Sequence, residues 1–204
     1  MTRSKIALTR ERILSTAARY IERDGIDTLT MRALARDLEV GAMTLYGYIR
    51  TKEELLDGVA DLALSQLDLS TDESAPWEEQ ITTIFTKILL GLEDRPGIRE
   101  LLVLRSAHGP TINLIREKVI RILRTAGYTP AQSVHALAML YSFTLGFAAA
   151  SHRSGATDND FAEVNVRTHP YLAEALLAYP ERTTMQTFAS GFRFLLEGIA
   201  NHPA

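Results

Sequence analysis

The chain has 204 residues, no cysteine, and a net charge of −3 from 22 Lys and Arg against 25 Asp and Glu. Hydrophobic residues at 46% and charged residues at 23% give the balance of a folded protein with a sizeable core. The missing cysteines exclude a disulfide framework, a thiolate zinc site, an iron–sulfur cluster and a cysteine nucleophile.

Helical periodicity runs through almost the whole chain, and no convincing alternating strand interrupts it. Ile13, Leu14, Ala17, Ala18 and Ile21 recur at helical spacing, with Thr9 as N-cap and Gly25 as the stop. Thr30 opens a second segment with Met31, Leu34, Ala35 and Leu38 on one stripe. A short third segment spans about Ala42 to Tyr48. A fourth opens at Thr51 with Glu54 three residues on, the pattern of a capping box. It carries Leu55, Leu56, Val59, Leu62, Ala63 and Gln66. Polar, periodless sequence from Leu67 to Pro76 is the best internal boundary, dividing a domain at 1–67 from one at 75–204. Beyond it lie a helix from Trp77 through Leu92, a break at Asp94–Gly97, a short segment from Ile98 to Arg105, and a stripe from Ile112 to Leu123 ended by Gly127. Thr129–Pro130 starts a long helix running to about Arg153. A loop at Gly155–Asp160, a short helix near Tyr171–Ala178 and a last helix from Thr183 to Ile199 complete the chain. The fold class is therefore all-α. The longest nearly apolar run, Ala136–Ala150, has 15 residues and contains Ser142 and Thr144, short of the roughly 20 a membrane span needs. With a polar start and no secretory signal, a soluble cytoplasmic protein is expected.

Residues 1–52 hold 10 basic and 6 acidic residues, whereas 53–204 hold 12 and 19. A basic end on an acidic body directs attention to the first quarter as the part that meets a polyanion. Two short helices joined by a tight turn and preceded by a longer one match a helix-turn-helix, in which the second helix enters the DNA major groove. That helix would present Ala42, Met43 and Thr44 to base edges, with Leu45 and Ile49 facing inward. Tyr46, Tyr48 and Lys52 follow at positions suited to phosphates, and Thr30 offers a hydroxyl and backbone N–H groups at a helix start.

These residues resemble the DNA-binding domain of the tetracycline-repressor (TetR) family of bacterial transcription regulators over residues 9–58. The matching stretches are Thr9–Leu14, Thr30–Ala35, Val40–Ile49 and Lys52–Leu56, and the run Leu45-Tyr46-Gly47-Tyr48-Ile49 followed by Lys52-Glu53-Glu54-Leu55 is specific in combination. The resemblance implies base contacts from Ala42, Met43 and Thr44, and phosphate contacts from Thr30, Arg32, Tyr46, Tyr48 and Lys52. It implies an N-terminal three-helix DNA-binding domain followed by a larger helical domain for dimerisation and ligand binding. The partners implied are double-stranded operator DNA, a small-molecule effector and a second copy of the chain. Two residues depart from the family pattern. Glu39 stands where the family commonly has glycine, in a turn suited to a left-handed residue. Gly47 is expected inside the reading helix, at roughly 1 kcal/mol against alanine.

In such a homodimer two reading helices about 34–36 Å apart meet two half-sites of a palindrome. The last two long helices are the expected interface, with Phe143, Phe147, Phe188, Phe192, Leu195 and Leu196 as contact candidates, each equally suited to the protomer's own core. Polar residues embedded in apolar helices, Arg105, His108, Asn113, His135, Tyr141 and His152, are candidates for an effector pocket, together with Phe147; Glu163 and Asn165 follow a loop that could gate it. Among rival readings, an enzyme lacks support: no H-E-x-x-H, G-x-S-x-G, P-loop or dinucleotide fingerprint occurs, the five histidines are scattered, and no cofactor or metal is expected. An all-helical small-molecule or protein interaction module that lost DNA binding rests only on Glu39 and Gly47.

Overall fold

A computed structural model of the chain describes residues 7–105, 108–153, 164–178 and 183–201. These form ten helices: α1 (Arg10–Asp24), α2 (Met31–Asp37), α3 (Ala42–Tyr46), α4 (Lys52–Ser65), α5 (Trp77–Glu93), α6 (Pro96–Leu104), α7 (Pro110–Thr125), α8 (Pro130–Arg153), α9 (Pro170–Ala178) and α10 (Thr184–Ala200). No strand occurs among the described residues.

The first four helices form a small reading head. The α1 stripe predicted from spacing is buried, and the Thr9 hydroxyl accepts from the Arg12 N–H as its N-cap. It meets Leu29, Leu34, Leu45, Ile49, Leu55 and Val59, all fully buried. The helix α4 runs on from the head into the body, where α5, α6, α7, α8 and α10 pack together. Buried Ile81, Ile84, Phe85 and Ile88 of α5, Val119 of α7 and Leu140 of α8 form the body's interior. The helix α8 is long and apolar enough over Pro130–Ser151 to cross a membrane, yet it packs against α5, α6, α7 and α10. The hydroxyl of its buried Thr144 donates to the Leu140 carbonyl 2.9 Å away, so the polar group is satisfied within the helix.

Several expectations are corrected. The helix α6 begins at Pro96 rather than Ile98, because the fixed φ of proline suits the first helical position. Only half of the capping box at α4 forms: the Thr51 hydroxyl accepts from the Glu54 N–H at 3.0 Å, but the Glu54 carboxylate takes the Arg50 N–H at 2.9 Å instead of that of Thr51. Phe188, Phe192 and Leu196 were candidates for a subunit interface; they are instead buried inside the protomer. Phe188 and Phe192 stack on each other at 5.2 Å and meet Phe143 at tilted angles, with centroids 5.6 and 6.0 Å away. Gly191 permits this approach of α10 to α8, since a Cβ there would stand 2.8 Å from the Phe143 ring.

The head and the body are joined by hydrogen bonds from helix-start N–H groups to side-chain carboxylates distant in sequence. Neither α6 nor α7 has a capping side chain at its own N-cap residue, Arg95 or Gly109. The Glu22 carboxylate of α1 accepts instead from the N–H groups of Gly97 (2.9 Å) and Ile98 (3.2 Å) at the start of α6. The Asp61 carboxylate of α4 accepts from Thr111 N–H (2.8 Å), Ile112 N–H (3.3 Å) and the Thr111 hydroxyl (3.0 Å) at the start of α7. Each carboxylate meets the positive end of a helix dipole and satisfies donors that would otherwise lack partners. Gly97 is required for this fit, because a Cβ would come within 2.8 Å of the Ile21 carbonyl oxygen. Replacing Asp61 by alanine should cost about 1 kcal/mol, the usual value of a lost N-cap, and lower Tm by roughly 2–4 °C at fixed protein concentration. Hydrogen exchange should show the loss concentrated at the Thr111 and Ile112 amides, with α5 unaffected.

Candidate functional site

The reading helix α3 is little more than one turn long, and its sequence divides sharply between core and solvent. Leu45 and, just beyond the helix, Ile49 are fully buried in the core cluster shared with α1, α2 and α4, and α3 packs directly on α2. Met43 is 82% exposed, Thr44 is exposed, and Tyr46 and Tyr48 are 44% and 43% exposed. Ala42 is half-buried. The helix ends at Tyr46, and Gly47 is its C-cap with ordinary right-handed backbone angles (φ −69°, ψ −20°). The interior-glycine penalty expected at Gly47 is therefore not incurred.

The turn before α3 explains the unusual Glu39. The Val40 N–H reaches back to the Ala35 carbonyl at 3.0 Å and the Glu39 N–H to Arg36 at 3.1 Å, the bond pattern of a Schellman motif. That geometry demands a left-handed residue at its centre, and Glu39 supplies it with φ 56°, the sole positive φ outside glycine among the described residues. The chain builds the same motif at the end of α7, where Tyr128 N–H bonds Leu123 and Gly127 N–H bonds Arg124, but there the left-handed position is a glycine (φ 100°).

The segment after α3 is held from outside the turn. Arg10 of α1 pairs with Glu54 of α4 at 2.7 Å and also donates to the Tyr48 carbonyl at 3.1 Å. The second Glu54 oxygen takes the Arg50 N–H. The Glu54 carboxyl is held below its ordinary range, first by the Arg50 N–H and then by the Arg10 guanidinium. This cluster fixes the backbone that carries Tyr48. On the other side, Arg23 of α1 bridges Asp24 (2.7 Å) and Asp37 (2.9 Å), setting the end of α2.

The Thr30 hydroxyl is used as an N-cap, accepting from Ala33 N–H at 3.1 Å. Arg32 is exposed on α2, and Lys52 is half-buried at the start of α4; neither has an ion-pair partner among the described residues. The structure adds two exposed cations that pattern reading passed over, Arg36 and Arg50, likewise without an ion-pair partner among the described residues. Their signal was present in the basic balance of the first 52 residues but not in any motif.

The body candidates do not gather in one place. His108, Asn113 and His135 are exposed rather than embedded, because each lies on the solvent side of its helix or at a helix start. Arg105 is half-buried and faces α4, 3.6 Å from Asp57, with its Nε buried and unbonded. Tyr141 is interior, its hydroxyl has no hydrogen-bond partner, and burial pushes its pKa up while nearby Arg116 lowers it. Arg116 donates to Asn113 at 3.2 Å, so Asn113, Arg116 and Tyr141 share one region between α7 and α8. Phe147 packs edge-on against Phe188 at 5.2 Å. The Asn165 side chain serves its own turn, accepting from Arg167 N–H at 2.9 Å. The side chain of His152, and Glu163 altogether, lie outside the described residues. Missed by the sequence are Val134 (56% exposed), Met139 (50%) and Phe194 (66%), apolar residues that α8 and α10 hold out toward solvent.

Comparison with known proteins agrees with this architecture. Residues 13–59 match the profile of bacterial regulatory proteins of the tetR family, and residues 70–202 match the tetracyclin repressor-like C-terminal domain. An HTH-type transcriptional regulator of Saccharopolyspora erythraea is 30% identical over 71% of the chain, which spans 61% of that relative's length. The HTH-type transcriptional repressor DrrR1 of Streptomyces coeruleorubidus is 26% identical over 96% of the chain and 78% of its own length. Among solved structures, the Streptomyces coelicolor TetR family protein ActR, in complex with (S)-DNPA, shares the fold with a TM-score of 0.85 at 22% identity, covering 96% of this chain and 99% of its own.

If Glu39 is strained as its φ indicates, Glu39→Gly should raise stability by about 1 kcal/mol, or roughly 2–4 °C in Tm, and Glu39→Val should lower it. A glycine variant that melts lower would mean that the glutamate has a favourable role in the fold.

Proposed function

The chain belongs to the tetR family of bacterial regulatory proteins, and from that premise we propose that it is a repressor that binds a palindromic DNA operator as a homodimer and is released by a small molecule. The observation that carries this reading is the division of α3 between buried Leu45 and exposed Met43, Thr44, Tyr46 and Tyr48. The start of the helix thus offers solvent an apolar and hydroxylic tip. It suits a groove lined by base edges and thymine methyl groups. In this reading Ala42, Met43 and Thr44 meet bases. Tyr46, Tyr48, Thr30, Arg32 and Lys52 meet phosphates, which fix position without reading sequence. Acting on DNA, the protein works in the cytoplasm.

A single helix of this length makes few contacts, so affinity depends on a second copy. The exposed apolar face of α8 and α10, with Val134, Met139 and Phe194, supports these helices as the subunit interface, through different residues from the buried phenylalanines. The region between α7 and α8, where Tyr141 keeps an unbonded buried hydroxyl beside Arg116, supports an effector site there. The related ActR holds a small molecule, (S)-DNPA.

Replacing Lys52 by alanine should weaken binding to all duplexes and reduce the salt slope of log K by about one, as for one lost phosphate contact. Titration of a labelled duplex at several salt concentrations measures this, and an unchanged slope removes Lys52 from the interface. Substitution of Met43 or Thr44 should instead change the sequence selected from a random duplex pool. An unchanged selection would place base reading elsewhere.

A further inference from the structure

A cavity of about 410 Å³ lies away from the reading head and away from the Tyr141 region. Its walls are the loop before α5, the first turns of α5 and the C-terminal half of α7. Its volume falls in the range of pockets that hold small molecules.

The walls are prebuilt. The Asp72 carboxylate accepts from the Ser74 N–H (2.9 Å) and hydroxyl (2.6 Å), and the Gln80 amide donates to the Ala75 carbonyl (2.8 Å) and that of Glu73 (3.4 Å). The Lys118 ammonium donates to the Leu69 carbonyl at 2.7 Å, tying α7 to the same loop. Trp77 forms one wall, braced edge-on by Tyr128 at 5.3 Å, and Ile122 is a further apolar residue of the lining.

Two features of this lining are unused by the fold. The Thr71 hydroxyl is buried and has no hydrogen-bond partner. Arg121 is exposed at the cavity and has no ion-pair partner among the described residues, and Lys118 has two further N–H donors beyond the one it gives to Leu69. Glu73 is the only acidic side chain in the lining, so the balance is positive. An orphaned buried hydroxyl costs on the order of 1–3 kcal/mol unless something else satisfies it.

We infer that this cavity is a binding site for a small aromatic carboxylate, its ring against Trp77 and Ile122 and its charge on Arg121, Lys118 and the Thr71 hydroxyl. A planar ring matches the indole and aliphatic walls, and a carboxylate matches the planar guanidinium fork and an adjacent hydroxyl donor. A neutral ring would leave the net positive charge of the lining unused, and a small inorganic anion would leave the apolar walls unfilled.

The chain has one tryptophan, so its single indole N–H resonance reports on this cavity. The full-length ¹⁵N-labelled protein is titrated with 1-naphthoate and, separately, with neutral 1-naphthamide, in wild type, Arg121→Ala and Thr71→Val. Naphthoate should shift the resonance saturably. Arg121→Ala should raise the midpoint about fivefold or more, Thr71→Val should raise it less, and the amide should bind more weakly and be indifferent to Arg121. Arg121→Ala should keep the wild-type melting curve, and Thr71→Val, which removes an unsatisfied buried hydroxyl, should melt no lower than wild type. No shift at millimolar naphthoate, or equal binding of acid and amide unchanged by Arg121→Ala, overturns the site. The readout does not pass through operator DNA, so its failure leaves the repressor reading standing.

Discussion

The structure depends on two carboxylates that belong to one part of the molecule and cap helices of another. Glu22 sits on α1 and satisfies the first N–H groups of α6; Asp61 sits on α4 and does the same for α7. Both body helices start with proline at the first helical position and have no cap of their own. Their starts are therefore completed only when the head is in place. Gly97 tightens the joint to the limit of backbone contact with Ile21. Further links lie alongside: Arg95 donates to Gln66 at 3.2 Å, and Arg105 stands 3.6 Å from Asp57. The helix α4 is thus held by the body at Asp57, Asp61 and Gln66, spread along its length.

Within the head, stability and recognition make opposite demands on the same short segment. Leu45 and Ile49 must be buried to hold α3, which leaves its remaining side chains exposed whatever their polarity. A helix of five residues has too few internal hydrogen bonds to persist alone. Its orientation is borrowed from the Schellman turn before it and from the Arg10–Glu54 cluster after it. The left-handed Glu39 fits this picture, because the bond pattern of the turn is satisfied in full even though the residue at its centre is not glycine. Local strain is tolerated where the surrounding bonds determine the backbone.

Helix existence was legible in the sequence because the longer helices, such as α1, α5 and α7, each bury one stripe, and the stripe repeats at 3.6 residues. The reading-head surface was legible for the same reason: Leu45 and Ile49, four apart, leave only one way for Met43, Thr44 and Tyr46 to face. Pairings across long sequence distances were not. Glu22 and Gly97 are 75 residues apart, and nothing in the periodicity of either segment names the other. The aromatic residues of α8 and α10 misled in a related way. Phenylalanine at helical spacing marks a buried face but does not say whether the cover is the same chain or another. Phe188 and Phe192 are covered by Phe143 and Phe85 of the same protomer, while Phe194, two residues on, points outward. Glu54 taught a smaller lesson, since its motif promised a bond to Thr51 and a nearby cation and a free N–H at Arg50 competed for the carboxylate.

The joint also limits how a bound molecule can act at a distance. A ligand in the body changes DNA affinity only by as much as it prefers one arrangement of head and body over the other. A preference confined to the interior of α8 would leave α1 and α4 where they are. A displacement of α6 or α7 cannot, because the N–H groups at their starts are bonded to Glu22 and Asp61. Moving either start away from its carboxylate weakens the hydrogen bonds that cap it, whose loss costs about 1 kcal/mol per helix. The two carboxylates thus couple the starts of α6 and α7 to α1 and α4, the helices whose buried faces share the head's core with Leu45.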